Sequence, residues 1–283
     1  DHGSMGGIFE FYKESKAAGI NPILGVEAYI VEDRLQLGPT DEQKEGLNKA
    51  ERDALNKKHR KYNHVGLIAQ NNTGLKNLFN VVSDAARNGT YYRPRTDWDF
   101  LAEHSKGVIA LSGCLQGKAN RLILDGDLDG ALDHLKHLKD IFGKRVVAEL
   151  QVNEAPEQKI CNEKIYMLAK KVGMPLVVTN DYHYVSPESV EAHRMCKFID
   201  YIKGRGKRDL EFCGFEGYKT TGHFVASYDE LKKLWVANHG NMTKGIFNKA
   251  CENTMKIAES CNVSIDSSHK LVKFPLQEGM SKE

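Results

Sequence analysis

Residues able to hold a metal ion or move a proton recur in this sequence where strands should start or end. Asp181 and His183 stand two apart in Thr179-Asn180-Asp181-Tyr182-His183-Tyr184, directly after the apolar run Met174-Pro175-Leu176-Val177-Val178. Such a β-branched run reads as a short buried strand, and period-two geometry turns both side chains to one side of its end. A carboxylate and an imidazole leaving a strand together make either a metal or catalytic site or a buried hydrogen-bonded pair, and this stretch alone leaves both open. Glu27 interrupts the otherwise apolar segment from Ile23 to Val31. Desolvating an unpaired carboxylate is expensive, so Glu27 is either an edge position or a ligand or acid. His64 opens the apolar segment His64–Gln70, and Cys114 follows Val108–Leu111 across Ser112-Gly113, where small residues leave room for close approach. Alone, a cysteine is usually a small buried hydrophobe. His134 and His137 have a spacing that suits zinc but no third ligand nearby.

These residues need a scaffold that gathers strand ends. Helical patterns over 6–19, 40–61, 75–86, 127–142, 155–172, 189–202, 228–237 and 243–261 alternate, up to residue 185, with strands at 23–31, 64–70, 108–111, 145–151 and 174–178. That alternation predicts an α/β fold with a parallel sheet. A barrel collects such positions at one rim, where barrel active sites lie. His2, Glu27, His64, Cys114, Asp181 and His183 then converge, and a set mixing imidazole, carboxylate and thiolate suits zinc, iron or manganese. Glu149 also lies inside a strand.

Composition sets the outer limits. The 283 residues suit one large or two modest domains, and 41% hydrophobic with 28% charged residues is ordinary for a globular protein. A net charge of +2 is too small to argue for nucleic acid by bulk charge, so any such contact must be local. Three candidates are Lys57-Lys58-His59-Arg60-Lys61, the aromatic and cationic loop Tyr91-Tyr92-Arg93-Pro94-Arg95, and Lys203-Gly204-Arg205-Gly206-Lys207-Arg208. A solvated face is the simpler reading of each, but tyrosines beside guanidiniums can stack on bases and grip phosphate. The six cysteines form no C-x-x-C pair, so reduced thiols and a cytoplasmic setting are expected. No apolar run is long enough to span a membrane.

The order of these pieces resembles the PHP (polymerase and histidinol phosphatase) domain, and more narrowly the type found at the N terminus of the bacterial replicative polymerase, the DNA polymerase III α subunit. Asp1-His2-Gly3-Ser4-Met5 is similar to the family's T-D-H-G-x-M, and Asn21 to Tyr29 to its K-P-I-x-G-x-E-x-Y. Asn71 to Leu78 and Tyr91 to Arg95 resemble polymerase-type signatures. Ala110 to Cys114, Glu149-Leu150-Gln151 and Asn180 to Tyr184 continue the match, followed by Asn253-Thr254, Ile257-Ala258-Glu259 and Lys273-Phe274-Pro275.

The resemblance implies a distorted (β/α)7 TIM-like barrel with up to three divalent metals: zinc, manganese or iron, with magnesium as an alternative. In the implied assignment Glu27 and Asp181 serve one metal, Glu27 bridges to a second held by His64 and Cys114, and His2 and His183 serve the third. Arg93 and Arg95 are candidate contacts for substrate phosphate. Residues 1–265 form the domain, without the first strand and its H-x-H ligands, and 266–283 lead toward a polymerase palm. The implied activity is phosphoester hydrolysis, as 3′→5′ exonuclease proofreading on DNA or hydrolysis of a small phosphate by-product, with little or none in this stretch alone because two metal sites lack ligands. Implied partners are DNA, the rest of a polymerase chain, a proofreading exonuclease subunit and a sliding clamp. The competing readings are a stand-alone histidinol-phosphatase-like phosphoesterase and a non-catalytic scaffold that stabilises a polymerase and docks a proofreading exonuclease.

Overall fold

The structure, a computed structural model, describes residues 1–205, 220–266 and 268. Residues 206–208 of the basic glycine loop at 203–208, Lys273-Phe274-Pro275 and nearly all of the segment 266–283 lie outside them. Six strands form one sheet: β1 (Gly25–Val31), β2 (Asn63–Ala69), β3 (Arg95–Asp97), β4 (Val108–Leu111), β5 (Val146–Gln151) and β6 (Leu176–Thr179). Their order is β3-β1-β2-β4-β5-β6. Helices surround it: α1 (Ile8–Ala17), α2 (Asp41–Lys44), α3 (Lys49–His59), α4 (Asn72–Arg87), α5 (Trp98–Glu103), α6 (Lys118–Leu124), α7 (Leu128–Phe142), α8 (Pro156–Val172), α9 (Val190–Arg205), α10 (Tyr228–Asn238) and α11 (Lys244–Ser260). This is the α/β architecture expected. The described strands do not close on themselves, an arrangement compatible with a TIM-like fold.

The sheet is mixed, which corrects the expectation of a parallel one. β1 pairs with β2 antiparallel, β2 with β4 antiparallel, and the remaining pairs are parallel. Five strands therefore run one way and β2 the other. The start of β2 lies at the rim where its neighbours end, so His64, a strand-opening residue, meets residues that follow strand ends.

The core is built from strand faces and helix stripes. All six residues of β5 are buried, including Glu149 and Gln151. On α4, Leu75, Leu78, Val81 and Ala85 are buried, the stripe of a helix lying on a sheet, and each such leucine contributes about 1.5–3 kcal/mol. Asn71 caps α4, its Oδ1 accepting from the Gly74 amide at 3.1 Å. Trp235 and Phe247, with ring centroids 5.3 Å apart, join α10 to α11 in the same core. No described helix is long and apolar enough to cross a membrane.

Candidate metal centre

Backbone register brings the first donors together. In the β1–β2 ladder Glu27 lies opposite Gly66 and Tyr29 opposite His64, so Glu27 and His64 are diagonal neighbours on one face, within side-chain reach. Residues 1–3 run beside β1: the Glu27 amide donates to Asp1 O at 3.1 Å, Gly3 N donates to Glu27 O at 2.8 Å, and His2 bridges Glu27 in parallel register. Each carboxylate oxygen consequently meets one imidazole, His2 Nε2 at 2.9 Å from Oε2 and His64 Nδ1 at 2.6 Å from Oε1. Cys114 follows β4 through Gly113, whose φ of +97° only glycine adopts readily. Its Sγ lies 3.5 Å from Glu27 Oε1 and 3.6 Å from His64 Nδ1. Asn120 Nδ2 fixes this turn by donating to Gly113 O and Cys114 O at 3.1 and 2.9 Å.

A second group forms past β6. Asp181 sits at φ +49°, a conformation uncommon outside glycine. Its carbonyl oxygen faces two ring nitrogens, His183 Nδ1 at 2.7 Å and His223 Nδ1 at 3.1 Å. His223 arrives on a segment held alongside residues 180–184: Asn180 Nδ2 donates to Gly222 O and Phe224 O at 2.7 and 2.9 Å, and His183 N donates to His223 O at 2.7 Å. Asp181, His183 and His223 each bring a donor atom within 4.8 Å of the other two, as do His2, Glu27 and His64.

A model of the PHP domain matches residues 1–153. The chain belongs to the PHP domain family. Similarity to the DNA polymerase III subunit alpha extends further: 33% identity with the Thermus aquaticus protein across 100% of this chain and 21% of that one, 31% with that of Aquifex aeolicus across 97% and 22%, and 34% with that of Borreliella burgdorferi across 93% and 20%. The chain thus spans about a fifth of the length of these curated relatives and is homologous to their PHP region.

Within this PHP domain the six expected ligands divide as His2, Glu27, His64 and Cys114 on one side and Asp181 and His183 on the other. The pairing of residues 1–3 with β1 seats His2 on Glu27. His223 was not among the expected residues. A single histidine between Gly222 and Phe224, far along the chain from Asp181, carries no spacing signal, and only the tertiary pairing with residues 180–184 reveals it. Arg95 is only 2% exposed, and its guanidinium donates to Gly89 O, His59 O and Gln36 O. It ties two loops to the end of α3, which leaves Arg93, exposed beside Tyr29, as the cation of that motif facing solvent. His134 is buried against Trp98 and its pKa is pushed down to about 3, chiefly by burial, as suits a neutral core histidine.

The electrostatics fit a cation. Burial pushes the Glu27 carboxyl up, but bonds from His2 and His64 outweigh it and hold the group well below the usual carboxylate range. His2 is raised by its bond to Glu27 against the effect of burial. Burial, aided by the charges of Glu27 and Asp181, pushes the Cys114 thiol far up. Asp181 also raises His2 and Glu149, so the two groups share one field. A nitrogen, oxygen and sulfur donor set with excess negative charge matches a borderline divalent ion.

Proposed function

We propose that this PHP domain is a metal-dependent phosphoesterase acting on DNA as a 3′→5′ exonuclease within a replicative polymerase α subunit. The observation that carries the reading is the Glu27 carboxylate, with one imidazole on each oxygen and a thiol at 3.5 Å. Glu27, His64 and Cys114, joined by His2, would hold one ion, and Asp181, His183 and His223 another, with zinc, manganese or iron as the metals and magnesium as the alternative. Bound divalent ions supply Lewis acidity, lowering the pKa of water and offsetting charge on the phosphoryl oxygens.

The protein's own part is to orient and to manage protons. The Asp181 carbonyl is placed to take the Nδ1 protons of His183 and His223, which would set both tautomers with Nε2 as the ligating atom; His223 Nε2 lies 2.6 Å from the Thr220 hydroxyl, which would have to turn away for that ring to hold an ion. To hold an ion, Cys114 would have to release its proton to solvent, and Glu27 would have to loosen the bonds it makes to His2 and His64. DNA as substrate, the remainder of a polymerase chain, an exonuclease subunit and a sliding clamp as partners, and a cytoplasmic setting belong to the same proposal, supported by similarity to polymerase α subunits; a domain boundary near residue 265 is proposed with them.

The test combines metal analysis with hydrolysis of a 5′-labelled single-stranded oligonucleotide. Wild-type protein is expected to retain zinc or manganese through gel filtration and to shorten the strand from its 3′ end only slowly, the two metal sites that lack ligands keeping the rate low. Glu27→Gln is expected to lose at least tenfold in metal affinity and to abolish shortening. Undiminished hydrolysis in Glu27→Gln would refute the assignment.

A further inference from the structure

The last turn of α3 and the entry to β2 carry Lys57-Lys58-His59-Arg60-Lys61-Tyr62 directly ahead of His64, and the ligand assignments use none of these residues. Tyr62 lies parallel to the His64 ring, with centroids 5.7 Å apart and planes 3° from coplanar, and Tyr29 sits 4.5 Å from Tyr62. A row of aromatic rings, buried at Tyr29, therefore begins at the candidate metal centre. It continues into the 91–94 loop. A Cβ on Gly3, next to His2, would stand 2.9 Å from the Tyr29 ring and 3.0 Å from Pro94, so the loop abuts the site. At its tip Tyr92 is 62% exposed and held at φ +61°. The Arg60 guanidinium lies over the Tyr92 ring at 3.8 Å and donates to its hydroxyl, and Tyr91 meets the ring edge-on at 4.8 Å. A large aromatic residue in a strained backbone conformation, displayed to solvent and braced by arginine, contributes little to the core. Strain of this kind persists where function requires it.

The other side of the same segment is cationic. A cleft of about 850 Å³ is lined by Lys58, Lys61, Lys118 and Arg121. Arg121 is anchored to the segment, donating to Tyr62 O at 2.6 Å and Asn63 Oδ1 at 3.2 Å. Lys118 pairs with Glu32 at 2.7 Å, whereas no carboxylate among the described residues pairs with Lys58 or Lys61. Glu32, Asp125 and Glu157 also line the cleft; with Lys118 paired to Glu32, the positive charge left for a ligand is that of Lys58, Lys61 and Arg121.

We propose that this segment is a binding platform for single-stranded nucleic acid, with a base stacked on Tyr92 and the backbone phosphates against Lys58, Lys61 and Arg121. Every base presents a π-face, so stacking with a cationic track holds a strand without reading its sequence. Lysines suit a mobile phosphate chain because their charge sits on a flexible stem. A small phosphate monoester can place one phosphate on the lysines but cannot span from them to the Tyr92 ring, as a strand can. The proposal deepens the phosphoester reading, on which it rests for the fate of the bound strand but not for the binding itself.

The test is fluorescence anisotropy of 5′-fluorescein-labelled (dT)12 with the full 283-residue chain in EDTA, so that no hydrolysis intervenes. Tyr92→Ala is expected to weaken binding about tenfold, a typical loss for one stacked base, and Tyr92→Phe to leave it within about twofold. The double variant Lys58→Glu with Lys61→Glu should weaken binding and flatten the slope of log affinity against log salt by about 1.4, at ~0.7 per phosphate contact. Inorganic phosphate at millimolar concentration should not compete. Wild-type affinity in both Tyr92→Ala and the double-lysine variant would overturn the platform, as would full competition by phosphate. Circular dichroism melting of each variant identifies a folding defect, and the Tyr92→Phe and lysine variants, confined to exposed positions, decide the matter if Tyr92→Ala unfolds. Binding that persists while Glu27→Gln leaves metal-dependent hydrolysis intact would sink the phosphoester reading alone. Glu27-dependent hydrolysis of a small phosphate without oligonucleotide binding would sink the platform alone.

Discussion

Glu149 is a buried carboxyl that the ligand groups leave over. It is 7% exposed, accepts from Thr179 Oγ1 at 2.5 Å and Gln151 Nε2 at 3.3 Å, and has its pKa raised to about 7. Burial is the main cause, with the charges of Asp181 and Glu27 adding to it and the two hydrogen bonds opposing it. The sign of the linkage follows. Between the ordinary value of 4.5 and about 7 the folded state holds a proton that the unfolded state has released, so stability falls as pH rises through that window. In EDTA, urea unfolding should show wild type losing on the order of 2–3 kcal/mol relative to Glu149→Gln between pH 4.5 and 8. Subtracting the two curves removes contributions such as that of His2, and a flat difference would show that Glu149 is ionised when folded. Much of this residue-scale chemistry was legible in the sequence. Glu27 and Glu149 stand out because a carboxylate inside an apolar strand demands a partner, and Asp181 with His183 because their spacing shares a face. His223 and the burial of Arg95 were not legible, since both depend on which distant loop passes by.

At the scale of elements, the turn after β4 sets the distance between Cys114 and His64. Gly113 holds φ +97°, and a Cβ there would lie 2.7 Å from the His64 carbonyl oxygen. Gly113→Ala therefore combines backbone strain with a push against the start of β2. The expected outcome is a loss of about 1–3 kcal/mol in urea unfolding together with weaker metal binding in isothermal titration. Normal affinity in a destabilised protein would mean that the turn serves folding alone. The elements themselves were largely readable: β1, β2, β4, β5, β6 and most helices fall where apolar periodicity puts them. Three departures have physical causes. The polar helix expected over 40–61 is split into α2 and α3, because Gly46 takes φ +71° and Asn48 caps a new start with its Oδ1 on Glu51 N at 3.0 Å. β3 begins at the end of the 91–95 loop, since three residues are too few to show a period. The direction of β2 was hidden because alternation identifies a strand but not its sense, and a long connection through α2 and α3 permits either.

At the scale of the molecule, the open edge of the sheet at β6 is covered by the last described helix. Thr254 on α11 accepts from Val178 N and its hydroxyl lies 3.1 Å from both Val178 O and Ala250 O, while Asn253 Nδ2 donates to Leu176 O at 2.9 Å. Side chains thus satisfy strand groups that would otherwise remain open to another chain. Just beyond, Asn262 N donates to Gln70 O at 2.8 Å and Ser264 N to Asn72 Oδ1 at 2.9 Å, which returns the chain to the start of α4. The stretch from 244 to 264 therefore clamps β6 from outside, and β6 leads directly into Asp181. Thr254→Val keeps the volume of the side chain but leaves Val178 N and O without their partner. Each lost bond costs about 1 kcal/mol, more where the backbone group stays buried, so a loss of roughly 1–3 kcal/mol is expected. The sharper readout is local. Amide hydrogen exchange at 176–184 should accelerate in Thr254→Val while β1 and β2 keep their protection, because the substitution loosens the strand feeding the Asp181 group and not the ladder holding Glu27 and His64. Metal titration should then weaken at the site assigned to Asp181, His183 and His223 and stay intact at that of Glu27, His64 and Cys114. Uniform acceleration across all strands would mean that the sheet unfolds as one cooperative body and that α11 stabilises the whole molecule rather than one of its two donor groups.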